Sequence, residues 1–148
     1  MLLESMLFNY KYFFQIAGIL KDRTYNLSNA TIKDFIIVDT NKLKSISNDP
    51  WIEIKDVNGY IKTIRIYVKY SDSLSNLQVF FSDTEDSTYA EKNSIRIRTS
   101  SEESVYDIDL PIITKIRNIR FDLTDQANKV IEFQKIDINP IFTFNFDF

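Results

Sequence analysis

The segment IRNIRFDLTD, residues 116–125, alternates between apolar and polar side chains in the two-residue period of a β-strand with one buried face. Ile119 and Phe121 share the apolar face, and Arg120 and Asp122 share the polar one. The alternation predicts a half-buried strand whose charged side chains point away from the core. Arg120 and Asp122 can pair with each other or contact a neighbouring strand, which favours a structural role for them over a binding role.

The same signal, rich in β-branched and aromatic residues, recurs from residue 35 to the end of the chain. It marks nine segments: 35–38, 51–54, 63–70, 77–82, 94–99, 105–110, 116–123, 130–138 and 141–148. Turn-forming clusters such as SNDP, DVNG and SDSLSN separate them. Eight or nine short strands with no helical segment between them predict an all-β fold, an antiparallel sandwich or barrel.

The apolar positions of these strands predict the core. We expect ten side chains to be mostly buried: Ile64, Ile66, Val68, Val79, Phe81, Ile95, Ile97, Ile108, Ile119 and Phe121. In VIEFQKIDI, residues 130–138, the apolar parity switches partway along the segment. A β-bulge near Gln134 and Lys135 would produce this switch, unless the other apolar residues of the segment share a second buried face.

Both ends of the chain carry aromatic segments. Residues 2–18 place apolar side chains at three- and four-residue steps, which favours an amphipathic helix, whereas the run YKYFF favours a strand. We therefore divide the chain into an N-terminal aromatic segment, residues 1–30, and a β-sandwich domain, residues 31–148. In IFTFNFDF, residues 141–148, four phenylalanines fall on one side, which predicts a segment clamped into a sheet or against a partner.

The apolar N-terminal run does not have the features of an export signal. Glu4 and Lys11 interrupt it, no basic stretch precedes it and no small-residue cleavage site follows it. We expect neither a signal peptide nor a membrane span. The absence of cysteine is compatible with either redox compartment, so the sequence does not assign a localisation.

Composition narrows the chemistry further. Among 148 residues there is no histidine, no cysteine and only two glycines. These absences exclude Ser-His-Asp and thiol nucleophiles, metal sites built on histidine or cysteine, disulfides and glycine-rich phosphate loops. The net charge of −3 comes without a basic block, so we expect no nucleic-acid partner. Nothing in the pattern selects a catalytic pair from the 21 acidic residues for glycoside hydrolysis.

Five segments between residues 46 and 138 follow one another in a specific order: ISNDPWIEI, IKTIRIYVKY, LQVFFSDTEDSTYAEKNSIRIRT, VYDIDLP and ITKIRNIRFDLTDQANKVIEFQKIDI. In this order they resemble the galactose-binding-like β-sandwich modules attached to bacterial glycosyltransferases and surface-polysaccharide enzymes. The resemblance implies an antiparallel two-sheet jelly-roll sandwich that binds or scaffolds without catalysis. Two features depart from the family pattern: Leu123 stands where a proline is usual, and the turn TDQANKV lacks the usual glycine.

A sugar ligand needs an aromatic ring to stack on and planar polar groups that hydrogen-bond neighbouring hydroxyls. The loop and strand DTEDSTYAEKNSIRIR, residues 83–98, contain both. This interpretation takes Tyr89 as the stacking ring and Asp86, Asn93 and Arg96 as the hydroxyl partners. The alternative is a solvated hairpin without a ligand.

The turn SNDP, residues 47–50, precedes the only tryptophan. Pro50 holds Asp49 extended, so we expect a structural turn in which the Asp49 carboxylate caps nearby backbone amides. The alternative is a structural calcium ion bound through the oxygens of Asn48 and Asp49. Trp51 opens a strand, and we expect its ring in the core.

Taken together, the sequence favours a non-catalytic carbohydrate-binding or accessory module of a bacterial polysaccharide-processing or glycosyltransferase system. Its partner would be an oligo- or polysaccharide. The alternative is a structural or assembly domain that docks a protein partner, or another copy of itself, through its N-terminal aromatic segment and C-terminal phenylalanines. A free-standing enzyme is the least favoured function.

Overall fold

The computed structural model describes residues 18–72, 76–84 and 88–140, which form eleven β-strands and two short 3₁₀ turns. The strands are β1 (Arg23–Tyr25), β2 (Thr31–Lys33), β3 (Phe35–Asp39), β4 (Lys42–Ser45), β5 (Trp51–Ile54), β6 (Gly59–Tyr70), β7 (Asn76–Ser82), β8 (Ser94–Arg98), β9 (Val105–Ile116), β10 (Asn118–Asp122) and β11 (Val130–Ile138). The 3₁₀ turns are Leu27–Asn29 and Glu91–Asn93. Within these three ranges no helix is long and apolar enough to cross a membrane.

The strands pair antiparallel into two sheets. In the six-stranded sheet the order is β3-β4-β11-β6-β9, and β1 pairs with the second half of β11, beyond the part that β4 covers. In the five-stranded sheet the order is β2-β5-β10-β7-β8. This architecture confirms the predicted fold class, an all-β, antiparallel two-sheet jelly-roll sandwich of the galactose-binding-like type.

The core lies between the sheets and follows the predicted alternation. Eight of the ten predicted core side chains are buried, and Ile95 and Ile97 are partly buried and packed against the same cluster. Both exceptions lie on β8, which is an edge strand and has a neighbour on one side only. The edge position therefore explains why their burial is incomplete.

The predicted β-bulge is present. The pairing of β11 with β6 shifts its register between Phe133 and Lys135, so one extra residue is accommodated in β11. Phe133 and Ile136 are both fully buried although they are an odd number of residues apart. Because of the extra residue, the apolar side chains of the second half of the strand also face the core.

The turn without the family glycine has a substitute. Asn128 adopts φ +61°, the left-handed conformation that glycine adopts most easily and that asparagine tolerates better than most residues. Its backbone N–H donates to the Ser45 carbonyl at 2.7 Å. This turn therefore contains a left-handed residue although it has no glycine.

Three strands were not predicted. β2 and β4 are short, and the inward side of β4 carries a single apolar side chain, Leu43. β1 lies inside the segment 1–30 and pairs with β11, so this part of the N-terminal segment belongs to the sandwich. Residues 2–18, for which the sequence leaves helix and strand open, fall almost wholly outside the described residues, and the four phenylalanines of residues 141–148 fall entirely outside them.

Candidate functional site

The outer face of the five-stranded sheet brings aromatic and charged side chains together. Because side chains alternate along a strand, burial of Ile52 and Ile119 in the core turns their neighbours outward. Arg120 lies between Glu53 of β5 and Phe80 of β7. The outward-facing side chains of the three central strands include Trp51, Glu53, Gln78, Phe80, Arg120 and Asp122.

The structure corrects the placement of Trp51. The sequence pattern predicts this ring in the core, but Ile52 and Ile54 are the core residues of β5, and Trp51 is half-buried on the outer face. Successive side chains of a strand point to opposite faces, so only every second residue can face the core. The indole ring has a cation near it on either neighbouring strand, with Lys33 Nζ and Arg120 Cζ each 5.8 Å from the ring centroid.

Arg120 is the centre of this surface. Its Nε and Nη2 donate to the two carboxylate oxygens of Asp122 at 2.8 and 2.9 Å, a bidentate pair. Its Cζ atom also lies 4.6 Å from the Phe80 ring centroid and 5.4 Å from that of Tyr89. The pairing of Arg120 with Asp122 that the sequence predicted is therefore present, and aromatic rings surround it.

Burial and ion pairing have opposite effects on the pKa values of Arg120 and Asp122. Desolvation raises the pKa of Asp122 above its ordinary value, while the hydrogen bonds and charge of Arg120 oppose that rise. Desolvation also acts to lower the pKa of Arg120, but the hydrogen bonds and charge of Asp122 outweigh it and leave that pKa raised. The ion pair thus depends on both partners being present.

Tyr89 closes one side of the surface. Its hydroxyl donates to Glu53 Oε2 at 2.6 Å, across the intervening strand β10, and its ring meets that of Phe80 edge-on with centroids 6.2 Å apart. Glu53 is 5% exposed, so its carboxylate depends on such partners. Tyr89 is therefore not a projecting loop tip, because its side chain lies on the sheet.

We call the four side chains Trp51, Phe80, Tyr89 and Arg120 the aromatic patch. A small cavity of about 110 Å³ lies beside the patch. The lining residues are all polar: Asn48, Asp49, Asn76, Gln78, Arg96, Asp122, Thr124 and Asp125. Ring surface and hydrogen-bonding groups thus adjoin on one face of the sheet.

Gln78 and Arg96 are held in place at the cavity. Gln78 is 8% exposed, and its Nε2 donates to Glu91 Oε2 at 2.8 Å and to Ser94 Oγ at 2.9 Å. Arg96 Nη2 lies 3.6 Å from Glu91 Oε1. The 3₁₀ turn before β8 therefore fixes two of the polar side chains that line the cavity.

The four sequence-predicted sugar contacts have different positions. Tyr89 belongs to the aromatic patch and Arg96 lines the cavity, so the structure brings these two to one surface. Asn93 ends the 3₁₀ turn, where its backbone N–H donates to the Ala90 carbonyl at 2.9 Å. Asp86 lies outside the described residues.

The candidate calcium ligands lie at the same cavity. Asn48 and Asp49 both line it, which the sequence analysis did not foresee. Asn48 Oδ1 already accepts the Ala127 N–H at 3.3 Å, and the Asp49 N–H donates to Ser47 Oγ at 3.1 Å. The described residues contain no group of three or more acidic side chains arranged to hold a metal ion. The calcium site remains a prediction from the sequence.

A larger cavity, about 300 Å³, lies at another place on the sandwich. Its described lining residues include one aromatic ring, Tyr60, and two cations, Lys21 and Arg23, but no carboxylate. Arg23 already donates to the Val57 carbonyl. We favour the smaller cavity as the functional one because it adjoins several aromatic rings and carries both carboxylates and a guanidinium.

Removal of the Tyr89 hydroxyl tests the role of this contact. In Tyr89→Phe the ring remains, but the buried Glu53 carboxylate loses a donor, so we expect the free energy of unfolding to fall by about 1–2 kcal/mol. Urea denaturation measures this change. Tyr60→Phe, on an exposed tyrosine, is the control and should change stability by less than about 0.5 kcal/mol. Equal stabilities of Tyr89→Phe and the parent would show that the hydrogen bond is not formed in solution.

The comparisons with known proteins concern the fold. No protein-family model matches the sequence, and no curated protein matches it significantly. The xylan-binding module CBM86 from Roseburia intestinalis aligns with a TM-score of 0.56 and 8% identity, covering 80% of this chain and 94% of that one. A variant of the carbohydrate-binding module CBM29-2 aligns with a TM-score of 0.57 and 11% identity, covering 86% and 96%.

An enzyme structure is similar over one part of its length. The family two carbohydrate esterase from Cellvibrio japonicus aligns with a TM-score of 0.57 and 6% identity, covering 80% of this chain but 33% of the esterase chain. The matched binding modules, in contrast, align over nearly their whole length. This chain therefore has the β-sandwich fold found in carbohydrate-binding modules.

Proposed function

We propose that this protein is a non-catalytic carbohydrate-binding module whose ligand lies on the outer face of the five-stranded sheet. The observation that carries the proposal is the aromatic patch beside a polar cavity. Trp51 and Tyr89 are both half-buried, so neither residue is enclosed by the protein. The fold that this chain shares with CBM86 and CBM29-2 supports the proposal.

The chemistry of the surface suits a sugar. The C–H face of a pyranose packs on an aromatic ring, and its hydroxyls need donors and acceptors at the ring edge. Asp49 and Asp125 offer carboxylate acceptors, and Arg96, whose side chain is 63% exposed, offers hydroxyl groups the guanidinium N–H donors that do not face Glu91. A sugar stacked on Trp51 or Tyr89 could place a neighbouring hydroxyl in the cavity.

The biological setting that we propose rests on the sequence resemblance. Segments such as ISNDPWIEI and VYDIDLP resemble modules attached to bacterial glycosyltransferases and surface-polysaccharide enzymes. In such a setting this chain would hold the polysaccharide near an enzyme. Catalysis would then be the task of the partner enzyme.

A glycan titration tests the proposal, and the single tryptophan provides the signal. We expect a xylo-, manno-, cello- or galacto-oligosaccharide to change the Trp51 fluorescence in a saturable manner, because the ligand would cover the ring. Isothermal titration calorimetry should give the same dissociation constant. Absence of binding to the whole panel in both assays would overturn the proposal.

An exposed sheet edge favours the assembly alternative. The edge strand β3 leaves Ile36, Ile37 and Val38 exposed, at 47%, 62% and 49%. Apolar edge strands are sites at which other chains pair. Lack of glycan binding together with a dimer in analytical ultracentrifugation would favour an assembly domain.

A further inference from the structure

Two of the three cations at the proposed surface already have carboxylate partners, and the third, Lys33, lies beside Trp51 and does not line the cavity. Arg120 makes its bidentate pair with Asp122, and Arg96 lies 3.6 Å from the Glu91 carboxylate. A carboxylate on a ligand would have to compete with Asp122 or Glu91 for these guanidinium groups. The two cations therefore do not form a ready site for an anion.

Two carboxylates at the cavity have no cation bound to them within the described residues, although the charge of Arg120 acts on Asp49 from a distance. Asp49 and Asp125 both line it and are both exposed, and within the described residues neither carboxylate forms a hydrogen bond or an ion pair. The side chains that line the cavity carry one positive charge, on Arg96, and three negative charges, on Asp49, Asp122 and Asp125. A second anion placed there would be repelled, whereas neutral hydroxyl groups can donate to the two free carboxylates.

We infer that the site selects neutral glycans and rejects glycans that carry uronic acids. This inference rests on the proposed function and specifies its ligand class. Neutral sugars gain hydrogen bonds from their hydroxyls to Asp49 and Asp125. An acidic sugar meets the same two carboxylates as like charges, with Arg96 and Arg120 already engaged.

The test compares three forms of one glycan backbone, two of them uncharged and one anionic. The probe is the neutral oligosaccharide of the panel that binds best, its uronate counterpart, and the methyl ester of that uronate. For hexose glycans the uronate is made by oxidation at C6, and for xylan it is the glucuronate-substituted oligosaccharide. The ester keeps the carbonyl group but removes the charge, so it separates repulsion from a lost hydroxyl contact.

We expect the uronate to bind at least about tenfold more weakly than the neutral glycan, which corresponds to about 1.4 kcal/mol. The methyl ester should recover most of the affinity. Higher salt should narrow the difference, because exposed charges are screened. A uronate that binds less than tenfold more weakly, or an ester that remains as weak as the uronate, would overturn the inference.

Substitution of Asp49 and Asp125 tests whether these two carboxylates cause the preference for neutral glycans. Asp49→Asn combined with Asp125→Asn removes two charges and should reduce the neutral-to-uronate affinity ratio at least threefold. Glu132→Gln, which removes one charge from the outer face of the other sheet, is the control and should leave the ratio unchanged. An unchanged ratio in the double variant would overturn the assignment to Asp49 and Asp125. Binding by none of the neutral or acidic glycans would instead overturn the proposed function itself.

Discussion

Replacement of Arg120 with alanine is expected to lower the free energy of unfolding by about 2–4 kcal/mol. The Arg120 and Asp122 side chains are only 22% and 17% exposed, so removal of the guanidinium leaves a largely buried carboxylate without its partner. Breaking a fully buried pair costs about 3–5 kcal/mol, and the residual exposure here reduces that figure. The contacts of Arg120 with Phe80 and Tyr89 would also be lost. Urea denaturation measures the change.

The other sheet provides a matched control for this prediction. Arg65 makes a similar bidentate pair with Asp107, at 2.7 and 3.2 Å, but those side chains are 36% and 59% exposed. Arg65→Ala should therefore cost less than about 1 kcal/mol. If Arg65→Ala and Arg120→Ala lower the free energy of unfolding equally, burial does not explain the expected effect of Arg120→Ala.

A double replacement distinguishes a lost attraction from an unpaired charge. Arg120→Met combined with Asp122→Leu removes both charges and keeps apolar volume, so we expect stability within about 1 kcal/mol of the parent. If the double variant is as unstable as Arg120→Ala, the pair itself stabilises the fold. In that case the interpretation of an uncompensated Asp122 is wrong.

Replacement of Trp51 with alanine is expected to weaken glycan binding at least tenfold, about 1.4 kcal/mol or more. Loss of the indole removes both its apolar contact area and its stacking interaction with the sugar. Trp51→Phe keeps a smaller ring and should retain more affinity than Trp51→Ala. Isothermal titration calorimetry measures both variants, because neither retains the tryptophan signal.

The control for Trp51 is an aromatic residue in a comparable setting on the opposite sheet. Tyr67 lies beside a cation, with Lys135 Nζ 4.6 Å from its ring centroid. Tyr67→Ala should leave the glycan dissociation constant unchanged. Unchanged affinity in Trp51→Ala would place the ligand away from the aromatic patch. Equal weakening in both variants would indicate that the ligand does not distinguish the two sheets.

The candidate site was only partly predictable from the sequence. Tyr89 and Arg96 were identified from the mixture of aromatic and polar residues in one hairpin, and both lie at the proposed surface. Glu53, which holds the Tyr89 hydroxyl, lies 36 residues earlier in the chain. No local pattern joins two positions so far apart.

The segment around Trp51 contains a signal for the outward position of this ring. Ile52 and Ile54 alternate with Trp51 and Glu53, so the segment WIEI offered two parities for the inward face. The acidic Glu53 favoured the isoleucine parity, since an unpaired carboxylate is costly in a core. With the isoleucines facing inward, Trp51 faces outward, as it does in the structure.

The sequence by itself determined most of the strands, most of the inward positions and the bulge near Gln134, because a two-residue period decides the face on which each side chain lies. The tertiary structure alone decided which outward side chains meet. Pairing of β10 with β5 and β7 places Arg120 between Glu53 and Phe80. The sequence between these positions does not indicate that register. Hydrogen bonds between strands are made by the backbone, which is alike at every residue, so the neighbours across the sheet are selected only when the whole core packs.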